Sequence, residues 1–214
     1  MVFINTKQIV YCRGSAGSRE VALTFDDGPC EPYTGQILDV LEKCGVKATF
    51  FMIGRNVEKH PEIAKRVANA GHEIGNHTYG HSSLVLDSPR KISMELAMGE
   101  EVIRQSTGIS PRIFRPPYGT NVRWVLTQAL RRGYIIAKWS VNAGDWGKAS
   151  AKRIQKKALS RVGNGTIILM HDGTSFRRNN HRCQTVTALP DIVSKLKARG
   201  YKLVTISKLL NLTD

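Results

Sequence analysis

Two adjacent carboxylates, Asp26 and Asp27, follow the apolar run at residues 21–25 and lead directly into Gly28-Pro29. That run reads as a buried strand. Side chains alternate along a strand, so the two carboxylates cannot simply lie side by side on one face. Different jobs follow: one a metal ligand, the other a nearby general base. Asp-Gly-Pro is also ordinary turn chemistry, so the assignment depends on partners elsewhere in the chain. His77-Thr78-Tyr79-Gly80-His81 offers them. If this segment turns helical after a strand, positions i and i+4 share a face and both imidazoles reach one ion. Two histidines and one carboxylate leave coordination positions open, which suits catalytic zinc or a similar divalent ion such as cobalt. The second carboxylate then stays free to take a proton from the attacking water.

His171 follows the apolar run Ile167-Ile168-Leu169-Met170. It can be a capped strand end or a general acid that protonates a leaving group from the side opposite the base. Asp145 is a natural orienting partner that would favour the imidazolium. Arg115 could hold the base carboxylate in its ionised form. Pro116-Pro117 stiffens the turn that follows, where a backbone N–H could serve an oxyanion. Trp146, Leu169 and Tyr118 would form apolar walls of the kind that sugar or acyl pockets require. The other histidines carry no assignment: His60 precedes a proline, His72 lies in a strand, and His181 sits in the basic stretch Arg177-Arg178-Asn179-Asn180-His181-Arg182.

The elements that must position these groups alternate in type. Strands are predicted at 21–26, 47–53, 72–77, 112–114, 134–141, 166–170 and 201–206. Helices are predicted at 33–43, 56–70, 89–107, 121–132, 149–162 and 185–198, with glycine stops at Gly45, Gly71 and Gly108. Such alternation implies a parallel sheet with helices outside it. An open doubly wound sheet and a closed barrel both fit the pattern, and no GxGxxG follows a strand, which weakens a dinucleotide-binding version. The chemically useful residues all fall at the carboxyl ends of strands, where barrel active sites lie.

At 214 residues the chain is long enough for one domain with a sizeable core. No run approaches the length of a membrane span. The first residues lack the charged-then-apolar pattern of a signal peptide, so the expectation is either an intracellular protein or a trimmed form acting outside the cell or at its wall. The net charge of +15 attracts polyanions. Its lysines and arginines are nonetheless spread over the helices, without an RNA-binding aromatic signature or a zinc-finger spacing, so no nucleic-acid partner is expected. Cys12, Cys30, Cys44 and Cys183 form no CxxC pair. Cys44 reads as a small core residue, and a Cys30–Cys183 disulfide at the barrel mouth is a hypothesis.

The ordered set TFDDG (24–28), HTYGH (77–81), RPPYG (115–119), DW (145–146) and LMH (169–171) resembles the polysaccharide deacetylases of carbohydrate esterase family 4, the NodB-homology domain. KATFF (47–51) and GHEIGNH (71–77) add to the resemblance. It implies a distorted (β/α) barrel of about seven parallel strands over residues 19–210, between an N-terminal extension (1–18) and a short tail (211–214). It implies metal-dependent removal of acetyl groups from N-acetylated sugars such as chitin, chitooligosaccharide or peptidoglycan. Carried over by position, Asp26 resembles the general base, and Asp27, His77 and His81 the ligands of one divalent ion. His171 resembles the general acid, with Arg115 and Asp145 tuning base and acid. The Tyr118 backbone N–H resembles the oxyanion donor, and Trp146 and Leu169 the walls of the acetyl pocket. Asn142 departs from the pattern, since many members carry an acidic residue there. The expected partner is an N-acetylated glycan and the expected state a monomer. O-acetyl xylan esterase activity, non-haem iron oxygenase chemistry on the same ligand type, and a catalytically dead glycan reader are the competing readings.

Overall fold

Strand β2 (Glu20–Asp26) is buried along its whole length except at its first residue. A strand covered on both faces belongs at the centre of a parallel sheet flanked by helices. The computed structural model, which describes residues 10–174 and 182–212, has this arrangement. On one side of β2 lie β3 (Thr49–Met52), β4 (Glu73–Asn76), β5 (Ile113–Phe114) and β6 (Ile135–Ala137), with β1 (Val10–Tyr11) beyond. On the other side lie β8 (Ile167–His171) and then β7 (Val141–Asn142). A ninth strand, β9 (Lys202–Leu203), also pairs with β2. All of these pairings are parallel. Among the described residues the path runs from β1 to β7 without pairing those two ends. The result is a distorted (β/α) barrel, open between its first and last strands.

The helices pack outside by their apolar stripes. Helix α1 (Tyr33–Lys43) buries Ile37, Leu38 and Leu41, and α7 (Cys183–Ala198) buries Leu189, Ile192, Val193 and Leu196 against the same side of the sheet. Helix α4 (Pro89–Thr107) starts at the Ser88 side-chain cap, ends at left-handed Gly108, and buries Ile92, Leu96 and Ile103. Helices α5 (Arg123–Arg131) and α6 (Ala151–Leu159) complete the outer layer. Inside the barrel, Phe51 packs so closely that a Cβ at Gly75 would lie 2.5 Å from its ring. The Arg115 guanidinium lies 4.0 Å from the centre of that ring, between the apolar filling and the mouth.

Three expectations change. The predicted strand 134–141 is two strands at different places in the sheet: β6 pairs with β5 and β1, β7 with β8. Arg115 ends the first piece, since its Nε and Nη2 donate to the Ala137 and Lys138 carbonyls (3.0 and 2.7 Å) that a neighbouring strand would otherwise use. The predicted helix 56–70 breaks into α2 (Gly54–Lys59) and α3 (Pro61–Asn69), because Pro61 has no N–H to continue the first helix and is well suited to open the second. The predicted strand 201–206 yields after two residues to α8 (Ile206–Leu209), whose first turn is capped by Thr205. Strand β1 had no sequence signal, and it lies within the stretch expected to be an N-terminal extension. All four cysteines are free thiols, so the structure holds no Cys30–Cys183 bond; Cys183 opens α7.

Candidate active site and metal centre

The turn after β2 resolves the problem of the two adjacent carboxylates. Asp26 ends the strand in extended geometry, and Asp27 takes a left-handed conformation with φ of 73°. That reversal brings the second carboxylate round to the same mouth as the first. Asp27 Oδ1 lies 3.5 Å from His77 Nε2 and 3.2 Å from His81 Nε2, while Asp26 Oδ2 lies 3.8 Å from His77 Nε2. The turn is fixed from outside, because Asn56 Nδ2 donates to the Asp27 carbonyl at 2.7 Å and the Ile53 N–H to that of Gly28 at 2.9 Å.

His77 and His81 meet by a route other than the helical turn expected from their spacing. Thr78 and His81 both have positive φ (68° and 56°), so residues 77–81 form an irregular loop. Asn76 and Glu95 hold it: the Thr78 N–H donates to Asn76 Oδ1 at 2.8 Å, and the Gly80 N–H to Glu95 Oε2 at 2.7 Å. Asn76 is itself anchored by donating to the Leu96 carbonyl and the Tyr134 hydroxyl. The His77 Nδ1–H donates to the Arg115 carbonyl at 2.7 Å, which leaves the Nε2 lone pair facing the carboxylates.

Asp27, His77 and His81 are all buried, and their ligand atoms lie within 4.8 Å of one another. The donor chemistry fits a divalent cation. Burial would raise the Asp27 pKa, but the His77 hydrogen bond and the His171, His77 and His81 imidazoles outweigh it and hold this carboxyl well below the usual range. Burial, then the neighbouring His77, pushes His81 down to about 4, so it presents a neutral imidazole, as a ligand must. Two imidazoles and a carboxylate suit zinc and related ions with positions left for water and substrate.

Around this trio stand two charged pairs. Arg115 is fully buried, and its Nη1 donates to Asp26 Oδ1 at 2.6 Å and to Thr24 Oγ1 at 2.8 Å. In the second pair, His171 Nδ1 bonds Asp145 Oδ1 at 2.7 Å. Asp145 Oδ2 accepts from the His171 backbone N–H at 2.7 Å and from Thr185 Oγ1 at 2.9 Å. Burial alone would lower the His171 pKa, but the Asp145 charge and hydrogen bond, helped by Asp27 and Asp26, raise it to about 9. The same pairing overcomes burial to hold Asp145 below the usual carboxylate range. His171 is therefore an imidazolium at neutral pH.

The three residues expected to form walls differ in exposure. Tyr118 has φ of 56°, packs its ring edge-on against His81, and is largely exposed. Its N–H has no backbone acceptor among the described residues. Trp146 is half exposed and stands edge-on to His171, 6.0 Å between ring centres. Leu169 is buried in β8, and its carbonyl ties down Ala143 on the way to Asp145. Asn142, the departure from the resemblance, accepts from the Gly144 N–H at 2.8 Å and so shapes the same turn.

Several contributors had been given no role from the sequence. Arg182, read as part of a basic surface stretch, is buried and donates to the Asp145 and Gly173 carbonyls; residues 177–181 of that stretch, His181 included, lie outside the described residues. Thr185 reads as an ordinary helix residue. Asp172 is buried beside the Asp26-Asp27 turn, where it accepts from Thr34 Oγ1 at 2.6 Å, and burial raises it to about 7 against that bond. His72 keeps a structural place, accepting from the Ala48 N–H at 3.1 Å.

The polysaccharide deacetylase family profile matches residues 13–159. Among curated proteins, a peptidoglycan-N-acetylglucosamine deacetylase of Bacillus cereus is 40% identical over 193 residues, covering 90% of this chain and 69% of the relative. A chitooligosaccharide deacetylase of a Bradyrhizobium species is 36% identical over 201 residues, covering 91% and 92%. Among solved structures, the Bc1960 peptidoglycan N-acetylglucosamine deacetylase superposes with a TM-score of 0.92 at 37% identity over 97% of this chain and 96% of that one. Fold, motif order and overall similarity agree: the chain belongs to the polysaccharide deacetylase family, the hydrolases of carbohydrate esterase family 4.

Proposed function

We propose that this protein hydrolyses the acetamide of N-acetylglucosamine units in a polysaccharide or oligosaccharide, giving acetate and a free amine. The observation that carries the reading is that an Arg115–Asp26 pair and a His171–Asp145 pair stand at the same strand ends as the Asp27–His77–His81 trio. A divalent ion held by that trio, zinc by its donor set, supplies Lewis acidity that makes water a nucleophile near neutral pH. Asp26, oriented by Arg115, accepts the proton of the attacking water. The Tyr118 backbone N–H donates to the oxygen that gains charge as the carbonyl is attacked. His171, kept protonated by Asp145, gives its proton to the departing nitrogen, so the amine leaves neutral. Water adds as hydroxyl to the acyl carbon, the C–N bond breaks, and both protons are accounted for on Asp26 and the amine.

Relatives named for peptidoglycan and for chitooligosaccharide support an N-acetylated glycan as substrate class. The deciding experiment is acetate release from N-acetylglucosamine oligomers, chitin, peptidoglycan and acetylated xylan, with chelator and again after zinc is restored. Chelator-sensitive release from an N-acetylated glycan is expected. Release from xylan alone would replace the reading with ester hydrolysis, and no release with metal bound would replace it with glycan binding.

A further inference from the structure

Beside Trp146 a groove of about 570 Å³ runs along β7, whose outer side has no strand partner among the described residues. Trp139 and Trp146 line it with Asn142 and Ser160, and two cations, Lys157 and Arg161, line its helix side. The two cations are four residues apart, one in the last turn of α6 and one just beyond it, so they share a face. Neither belongs to the catalytic constellation, and among the described residues neither pairs with a carboxylate. Among the described residues no acidic side chain lines the groove. Lys157 reaches the chain that carries the acid's partner: Gly144 has φ of 62°, and a Cβ there would lie 2.6 Å from Lys157 Nζ. Its ammonium thus occupies the place of a side chain one residue before Asp145-Trp146.

An aromatic face next to unpaired cations is a mixed surface. Indole rings take the apolar face of a sugar ring, while an ammonium and a guanidinium take an anionic substituent, the guanidinium in bidentate fashion if it is a carboxylate. Trp146 touches both the groove and His171, so a chain bound along the groove continues into the reaction centre. We propose that this groove binds the sugar next to the N-acetylglucosamine being hydrolysed, and that Lys157 and Arg161 select a neighbour bearing a carboxylate, such as the lactyl ether of N-acetylmuramic acid. This rests on the deacetylase reading and narrows it: the substrate alternates neutral and carboxylated amino sugars, in contrast to chitin and its oligomers.

The test compares the zinc-loaded protein with Lys157→Gln/Arg161→Gln, both exposed positions outside the catalytic constellation. Three tetrasaccharides serve as substrates: the neutral N-acetylglucosamine tetramer, the alternating tetramer with free lactyl carboxylates, and the same tetramer with those carboxylates amidated. The wild type should favour the free carboxylate over its amide by about tenfold in kcat/KM, as hydrogen bonds to charged groups allow, and added salt should shrink the preference. The double variant should lose the preference, read as the ratio of its kcat/KM on the free and amidated tetramers. Equal wild-type rates on the free and amidated forms, or a preference that survives in the variant, would overturn the proposal. Calorimetric titration of the same three tetrasaccharides separates the two layers of the argument. Absent acetate release from all three defeats the deacetylase reading, whereas the carboxylate's binding advantage and its loss in the variant still decide for or against the groove.

Discussion

Replacing Asp145 with Asn tests whether the charge on that carboxylate is what keeps His171 an acid. The side chain has the same shape, so Thr185 and the His171 backbone N–H can keep an oxygen acceptor. The amide nitrogen would then face His171 Nδ1, which can no longer donate there and becomes an acceptor. With the charge gone, the imidazole loses the main influence that raises it to about 9, while burial still disfavours its charged form. At pH 8 a group titrating near 9 is about 90% protonated, and one returned to the ordinary value near 6.5 is about 3% protonated. The expected kcat deficit at pH 8 is therefore about 30-fold. It should close to a few-fold near pH 5.5, where an imidazole returned to the ordinary value is again mostly charged. The assay is a kcat profile of acetate release from pH 5 to 10 for both proteins, zinc-loaded, with melting curves alongside. A deficit of the same size at every pH would refute the reasoning, because Asp145 would then act through structure alone.

Asp26→Asn should reduce turnover by at least about 10²-fold, the scale of a lost general base, while zinc stoichiometry by elemental analysis stays near one; loss of zinc instead would mean that the roles of the two carboxylates are reversed. His81→Ala should weaken zinc binding by more than the roughly 10–100-fold that an outer partner contributes, read from competition with a chromophoric chelator, and unchanged affinity would remove His81 from the ligand set. His72 is held near 4 by burial and Lys47. The unfolded chain takes up that proton below about 6.5 and the folded one only near 4, so stability should fall by about 3 kcal/mol between those values. Urea unfolding of His72→Gln against wild type at pH 7 and pH 4.5 checks the sign, and identical pH slopes would contradict it. Gly75→Ala should lower stability by about 1–3 kcal/mol through the Phe51 contact, and an unchanged melting temperature would mean that the ring moves aside freely.

The residues proposed for acid–base chemistry could be picked out in the chain because such chemistry needs particular residue types, and those types stood at the ends of apolar runs. Asp26, His77, Arg115, Asp145 and His171 each follow or end a predicted strand, and parallel strands deliver such ends to one mouth. Helix limits were legible where local signals act alone, as in α1 and in α4 between its serine cap and Gly108. What the sequence could not carry depended on contacts between distant segments. The division of 134–141 into two strands follows from a guanidinium on another strand taking two carbonyls. The convergence of Asp26 and Asp27 needed a left-handed backbone that only the surrounding turn enforces. Arg182 and Thr185 looked like ordinary polar residues, because burial next to a specific partner is a property of the assembled fold. The types of the groups proposed to react were thus fixed locally. Their directions, their partners and the charge each one carries were decided by tertiary packing, since electrostatics at a buried site depends on which groups the fold excludes from water together.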